Sequence, residues 1–491
     1  MCTWPASNRL FRRMPRAAAV LAAVASLAGC MVGPDFTRPP TPPVSRFVAA
    51  DGAAGAWTGG GQTQVLSASE PLTRDWWTRF GSRAIDSTVD EALTGSPTLD
   101  LAEATLRRSE HALRAGEGVF FPQADAQAGA SRQRYAPLRT GQPLPASIFN
   151  LYTLSATVSY TLDLWGGERR QVEALAADVD AQRQALAGAY LMLTANVVNT
   201  MVARAAYRDE AAATHEMIAL LDEQIRLTRA QVTAGAAAYV AVLTLESQRA
   251  SLEATLPALD QKRAQADDLL ALLAGRYPAD WQTPDLSLER IALPASLPDT
   301  APSSLVRRRP DILQAEAQLH VASAQVGVAT AALYPNLTLS ASGGFDSIVA
   351  GQLFAPAGRA WSVGAGLTAP LFHGGTLLNQ RRAAQDAYDA AGAAYRQVVL
   401  AAFSQVADTL RALANDAAAL DAQARAMAAA RDALTLTQAG YDAGIAGYVQ
   451  LLVADVQYHQ ARLAWLQAVA QRLQDTVAFY VALGGGWGDA G

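Results

Sequence analysis

Between Tyr152 and Leu162 the residue character changes at every step. Tyr152, Leu154, Ala156, Val158, Tyr160 and Leu162 share one side of an extended chain, and Thr153, Ser155, Thr157, Ser159 and Thr161 share the other. A period of two makes this a strand, and one apolar face opposite one small-polar face is the pattern of a strand that separates lipid from water. Tyr152 and Tyr160, toward its two ends, suit the two membrane interfaces. The pattern recurs. Leu337, Leu339, Ala341 and Phe345 face one way and Thr338, Ser340 and Ser342 the other, and Trp361, Val363, Ala365 and Leu367 form the apolar face of a fourth strand. The residues expected to meet lipid are therefore Tyr152, Leu154, Val158, Tyr160, Leu337, Leu339, Trp361 and Val363. One strand of this kind fits a soluble sheet equally well, but four of them set between very long helices have no soluble sheet to join.

Four strands cannot close a barrel. Open sheet edges in hydrocarbon leave unpaired amides, each costing several kcal/mol. The chain must therefore associate with copies of itself. A dimer supplies eight strands and a bore filled by side chains; a trimer supplies twelve and leaves room for a lumen.

Residues 168–233 and 376–442 contain no proline, and each run, if helical throughout, is about 100 Å long. Val399, Phe403, Val406, Leu410, Leu413, Ala417, Leu420, Ala424 and Met427 recur at alternating spacings of four and three, a heptad seam. Leu186, Tyr190, Leu193, Val197 and Met201 begin a similar one. Helices this long, leading directly from barrel strands, are expected to extend the barrel as a hollow helical tube.

The chain also repeats itself once. Ser96 to Ala104 matches Arg309 to Ala317, and Phe121-Pro122 matches Tyr334-Pro335, at one offset. Later, Ala234-Gly235 with Tyr239-Val240 matches Ala443-Gly444 with Tyr448-Val449, and Glu246 and Gln248 pair with Asp455 and Gln457. Several matches in the same order mark two copies of one unit. Each copy reads helix, strand, loop, strand, long helix, turn, helix. Pro257 falls in the returning helix of the first copy and is expected to bend it; its counterpart, Leu466, carries no such constraint. The expected organisation is a leader over 1–29, a Pro/Gly-rich segment over 30–75 that is extended and poorly packed, repeats over 76–275 and 304–485 joined by a proline-punctuated linker over 276–303, and a Gly-rich tail over 486–491.

Arg9, Arg12, Arg13 and Arg16 precede an apolar run from Ala17 to Ala28, and Leu27-Ala28-Gly29-Cys30 has the form of a bacterial lipobox. Removal of residues 1–29 would leave Cys30 as the one cysteine, available for acylation and unable to form an intrachain disulfide. Met31 follows, where aspartate usually means retention at the inner membrane, so outer-membrane delivery is the expectation. The leader carries four arginines and no acid, so the mature net charge becomes 35 − 44 = −9, and nucleic-acid binding is excluded. No eighteen-residue uninterrupted apolar stretch remains to cross a membrane as a helix.

The signatures of enzyme chemistry are missing from the sequence. His111, His215, His320, His373 and His459 are dispersed, no HExxH or P-loop occurs, and Gly116-Glu117-Gly118 lacks the rest of a dinucleotide fingerprint. No cofactor or metal is expected beyond the lipid on Cys30.

Cys30-Met31-Val32-Gly33-Pro34-Asp35-Phe36, Trp76-Trp77-Thr78-Arg79-Phe80, Leu162-Asp163-Leu164-Trp165-Gly166 and Arg308-Arg309-Pro310-Asp311-Ile312 together resemble the NodT/OprM branch of the TolC-like outer membrane efflux family, over essentially the whole mature chain. The resemblance implies a mixed α and β fold: a trimeric channel with a twelve-stranded transmembrane β-barrel, four strands per chain, continued by a coiled-coil α-helical barrel. It implies an exit duct that passively conducts small molecules such as drugs. It also implies a periplasmic membrane-fusion adaptor and an inner-membrane pump, commonly of the resistance-nodulation-division class, as partners. By the same resemblance the periplasmic tips that engage the adaptor are the turns at Gly235 to Tyr239 and Gly444 to Tyr448. Some relatives carry an aspartate gate just past the second tip; here those positions are Gln450 and Val453, with Asp455 the nearest acid. Gating by packing of tip side chains is therefore the expectation. Two other readings fit parts of the chain: a duct for type I protein secretion, and a periplasmic adaptor lipoprotein, itself rich in coiled coil.

Overall fold

The computed structural model describes residues 31–48, 55–135 and 145–486. The leader and Cys30 lie outside the described residues, as does most of the Gly-rich tail. Two short strands, β1 (Ala56–Gly59) and β2 (Gln62–Ser67), pair antiparallel around Gly60 and Gly61, whose φ values of 58° and 80° suit a tight hairpin turn. A 3₁₀ turn, Trp76–Phe80, then leads into α1 (Arg83–Gly95) and α2 (Pro97–Glu117). Strands β3 (Gln123–Tyr135) and β4 (Ser147–Leu162) follow, then α3 (Gly167–Thr233), α4 (Tyr239–Glu253) and α5 (Leu256–Leu273). The second copy begins after β5 (Ser296–Pro298), with α6 (Pro302–Arg308) and α7 (Pro310–Ala331), then β6 (Asn336–Ser347), β7 (Arg359–Thr368), α8 (Thr376–Asp442) and α9 (Tyr448–Ala482).

The residues fall into two compact units. The first takes residues 108–180 and 317–393 with the N-terminal segment; the second takes 39–107, 181–316 and 394–491.

The first unit holds an antiparallel four-stranded sheet in the order β3-β4-β6-β7. Its register puts Leu154 opposite Phe345, Val158 opposite Ala341 and Tyr160 opposite Leu339. Leu339 in turn faces Ala365, and Ala341 faces Val363. The other face pairs Thr161 with Thr338, their hydroxyls 3.3 Å apart, and Ser342 with Ser362 at 2.8 Å. Alternation within each strand thus becomes one continuous apolar face and one hydroxyl face. β3 had little signal of its own, because alanines 124, 126, 128 and 130 alternate with glutamine, aspartate and glycine; pairing with β4 puts those alanines on the apolar face. Asp163 ends β4 and caps α3, accepting from the backbone N–H groups of Glu168 at 3.2 Å and Arg169 at 3.0 Å. Trp165 stacks on Tyr334 and donates its indole N–H to the Pro335 carbonyl at 2.7 Å, locking one strand–helix turn to the other copy's strand start.

In the second unit α3, α8 and α9 supply most of the core. Leu193, Val197, Met201, Val406, Leu413 and Ala417 are buried, as the two heptad seams require. Helix α3 also contains an 18-residue window of mean hydropathy 1.4, apolar enough by composition to cross a membrane, but 56% of it is buried against the rest of the chain.

Two expectations need correction. The described parts of the segment over 30–75 are not poorly packed. Arg472, only 1% exposed, donates to the carbonyls of Gly59 at 2.9 Å and Trp57 at 3.2 Å and to Gln64 Oε1 at 3.1 Å, so the hairpin is pinned to α9. Met31 to Phe36 is pinned as well: buried Arg170 reaches Asp35 at 2.6 Å, Val32 donates to the Trp165 carbonyl, and Phe36 stacks on His320. Nor does Pro257 merely bend its helix. α4 stops at Glu253, and α5 restarts at Leu256 with Pro257 in its first turn, where the missing N–H costs nothing.

Candidate functional site

The two turns are the same structure built twice. Gly235 N–H donates to the Val232 carbonyl at 3.0 Å and Ala236 N–H to Gln231 at 2.8 Å; Gly444 donates to Tyr441 at 2.9 Å and Ile445 to Gly440 at 2.8 Å. This is the paired 5→2 and 6→1 bonding of a Schellman end, which needs a left-handed residue after the helix. Gly235 has φ +72° and Gly444 φ +74°, and a Cβ at either would meet nothing within 4 Å. The glycines are there for backbone sign alone.

The residues after the glycines part company. Tyr239 is 60% exposed, with Val240 and Leu243 exposed beside it. Tyr448 is half-buried, packed on a cluster of Met217, Leu221, Ile225, Val242 and Leu245. Burial, then Tyr441 and Asp455, pushes its phenol above the usual range, and its hydroxyl has no partner among the described residues. Tyr441 stands edge-on to Tyr448 at 6.5 Å, and its hydroxyl lies 3.2 Å from the Gln231 amide that donates to it. The two turns are thereby joined side by side.

The residues past the second turn do different jobs. Gln450 is exposed and turns back to accept from the Gly447 N–H at 2.8 Å, capping α9. Val453 is half exposed. Asp455 is only 2% exposed and accepts from the Gln224 amide at 2.6 Å; burial raises its pKa and that bond lowers it. Asp455 thus faces the neighbouring helix α3 of its own chain. Its counterpart Glu246 instead pairs with Arg229 at the surface, beside Arg249, which bridges Asp222 at 2.6 Å and Glu253 at 3.1 Å.

In the first unit the lipid-face candidates Tyr152, Leu154, Val158, Tyr160, Leu337 and Leu339 stand on the single apolar face, with Trp361 and Val363, 80% and 74% exposed, on edge strand β7. Strands β3 and β7 each have one edge with no partner strand among the described residues. No cluster of side chains able to hold a metal ion occurs among the described residues.

Residues 88–276 and 301–485 match the sequence profile described as outer membrane efflux protein. The chain belongs to that family. Its two matched segments are the two copies seen in the fold. The chain is 30% identical to the pyoverdine export outer membrane protein OpmQ of Pseudomonas aeruginosa over 84% of this chain and 88% of that one. It is 29% identical to the toluene efflux pump outer membrane protein TtgC of Pseudomonas putida, over 94% and 93%. The solved structure of the outer-membrane channel OprN superposes with a TM-score of 0.83 at 28% identity, covering 93% of this chain and all of that one. This protein is an outer-membrane efflux channel with the TolC-like fold.

Membership also gives the signature segments their work. Trp76, Trp77 and Phe80 are core residues, Trp76 stacking on Tyr480, whose phenol burial pushes up to about 12. Arg309 clamps Asp311 at 2.8 Å, the Ala482 carbonyl at 2.8 Å and Gln405. Arg472 and Arg170 were not legible as anchors in the sequence, because their acceptors lie 408 and 135 residues away.

Proposed function

We propose that this chain closes its membrane wall as a trimer and serves as the passive exit duct of a tripartite efflux system, conducting small molecules delivered by an inner-membrane pump through a periplasmic adaptor. The observation that carries this is the sheet: two faces of opposite polarity and two edge strands with open edges. Three copies give twelve strands, an apolar outer surface and a hydroxyl-lined interior. Cys30 carries the lipid that tethers the N-terminus, and the Arg170 clamp holds the segment that follows it. The turns at Gly235 to Tyr239 and Gly444 to Tyr448 are the adaptor-facing ends. Exposed Tyr239 and its flanking ion pairs offer the contact surface, and half-buried Tyr448 holds the two turns together. Pyoverdine and toluene are named for relatives, and no single cargo is carried over to this chain. The lipobox ending at Cys30 and the Arg308-Arg309-Pro310-Asp311-Ile312 segment favour small-molecule efflux over protein secretion, since both belong to the efflux branch that the sequence resembles.

The test is arginine placement combined with mass. Arginine at Val158 or Leu339 should cost roughly 2–4 kcal/mol near the bilayer midplane, whereas arginine at Thr157 or Ser340 should assemble. Equal tolerance of both faces in a membrane-assembly assay, or a conducting monomer by native mass measurement in detergent, sinks the reading.

A further inference from the structure

The two open edges of the sheet have complementary shapes. On the apolar face β7 presents exposed Trp361, Val363 and Leu367, while β3 presents only alanines. On the hydroxyl face the bulk is reversed: Ser362, Gly364 and Gly366 on β7, Gln123, Asp125 and Gln127 on β3. Large opposite small on both faces suits pairing of β7 with the β3 of a second copy.

The register of that pairing is narrowly bounded. Along the ladder Gln123 is level with Ser159, Ser340 and Gly364, so β7, ending at Thr368, runs further toward the strand–helix turns than β3 does. Pairing Thr368 with Gln123 of the next copy offsets each copy by about four residues, which tilts the strands by about 35° at ~3.3 Å per residue and ~4.8 Å between strands. Pairing it with Asp125 of the next copy offsets each by about six and gives about 46°. Barrel strands tilt by about 35–45°, and an odd offset would turn the two faces over. Those two registers remain.

Both bring the same charges together. Arg359 pairs with Phe345, and Arg132 and Arg134 pair with Asn150 and Ile148, so all three stand on the lipid-side face. They lie at the end away from the helices, just past Trp361 and Ala130, where the apolar band gives way to headgroups. In the first register Arg359 is directly opposite the next copy's Arg132 and diagonal to Arg134; in the second the two exchange places. All three are exposed and have no hydrogen bond or ion pair among the described residues. Asp346 is on the hydroxyl face, paired with Thr153, and residues 136–146 and 348–358 contain no acid. Like charges opposite one another on a ladder are destabilising, and nothing described in the protein neutralises these.

We propose that each barrel seam binds the phosphate-bearing headgroup of an outer-leaflet lipid, held by Arg359 of one copy with Arg132 and Arg134 of the next. The inference rests on barrel closure and goes beyond conduction. Guanidinium forks match phosphate oxygens, and Trp361 faces the adjoining acyl region.

The test takes the protein in nonionic detergent, confirms the trimer by mass, and titrates it with lipopolysaccharide, whose lipid moiety carries phosphate. Bound lipid is counted by native mass measurement, and saturation at one lipid per chain is expected. The same lipid stripped of phosphate should bind about tenfold more weakly, the scale of a lost charge-assisted hydrogen bond. Arg359→Gln should weaken binding of the intact lipid to a similar extent, as should Arg132→Gln with Arg134→Gln. Arg425→Gln, on exposed α8, should bind as the wild type does. Inorganic phosphate equimolar with the lipid should not displace it. A trimer that holds both lipids equally, releases lipid to free phosphate, or is indifferent to the seam arginines overturns the proposal and leaves barrel closure standing. A conducting monomer overturns closure, and the seam with it. The comparison of the two lipids uses the wild-type chain, so it decides even where a variant fails to assemble.

Discussion

The returning helices of the two copies began as the same element and now carry different loads. In the first copy the return is split into α4 and α5, with exposed Tyr239 at its start and surface ion pairs along it. In the second it is a single helix of 35 residues that buries Asp455, His459, Arg472, Thr476 and Tyr480. The turn before each has the same pair of Schellman bonds. Turn chemistry is local, so duplication preserves it; helix continuity is set by what packs alongside, so it diverges. A proline is tolerated where the backbone faces solvent and is excluded where each turn supports a core contact.

Transferring the proline is the most severe way to probe this difference. Leu466→Pro puts it at the matching position of α9, where Leu466 is 6% exposed in the main core. The lost helix bond costs ~3 kcal/mol or more, and the lost leucine packing adds roughly 2–5 kcal/mol. No assembled protein should survive in the outer-membrane fraction. Wild-type assembly of that variant would mean that α9 is no more constrained than its partner.

Removing a charge from each return is the next test. Arg472→Met strands the carbonyls of Trp57 and Gly59 and the Gln64 side chain, at roughly 1–3 kcal/mol for each buried group left unpaired. Arg249→Met breaks two exposed ion pairs and should change stability by less than about 1 kcal/mol. Comparable losses of thermal stability from the two would erase the distinction between a buried anchor and a surface pair.

The turns should respond alike. Gly235→Ala and Gly444→Ala each force a side chain into left-handed backbone with no steric neighbour, at about 1–2 kcal/mol apiece. A large inequality in denaturation midpoints would show that one glycine serves a contact rather than its φ.

The last effect is a pH dependence centred on Asp416 in the second hairpin. Burial first, then Asp475, raises the Asp416 carboxyl to about 7. Its folded pKa lies above its unfolded value, so the folded state holds the extra proton between roughly pH 4 and 7 and loses stability as pH rises through that window. Asp416→Asn should therefore raise the melting temperature at pH 8 and leave it nearly unchanged at pH 4. An equal gain at both pH values would show that titration is not the cause.

Much of this molecule follows from local pattern. Residue alternation decides which side of β4, β6 and β7 each residue occupies; freedom from proline over 168–233 and 376–442 coincides with α3 and α8; and Gly235 and Gly444 mark the turns because only glycine adopts that backbone without strain. These are interactions between residues a few positions apart, so the order of residues contains them. What the order does not contain is which distant group answers which. Tyr239 and Tyr448 match in sequence, yet one is exposed and the other packs under its neighbouring turn. Glu246 and Asp455 match, yet one pairs at the surface and the other is buried on Gln224. Residues 55–67 have the composition of a linker and become a hairpin because a buried arginine more than 400 positions away needs their carbonyls. A buried donor must find an acceptor wherever the fold brings one, and only the tertiary structure decides where that is.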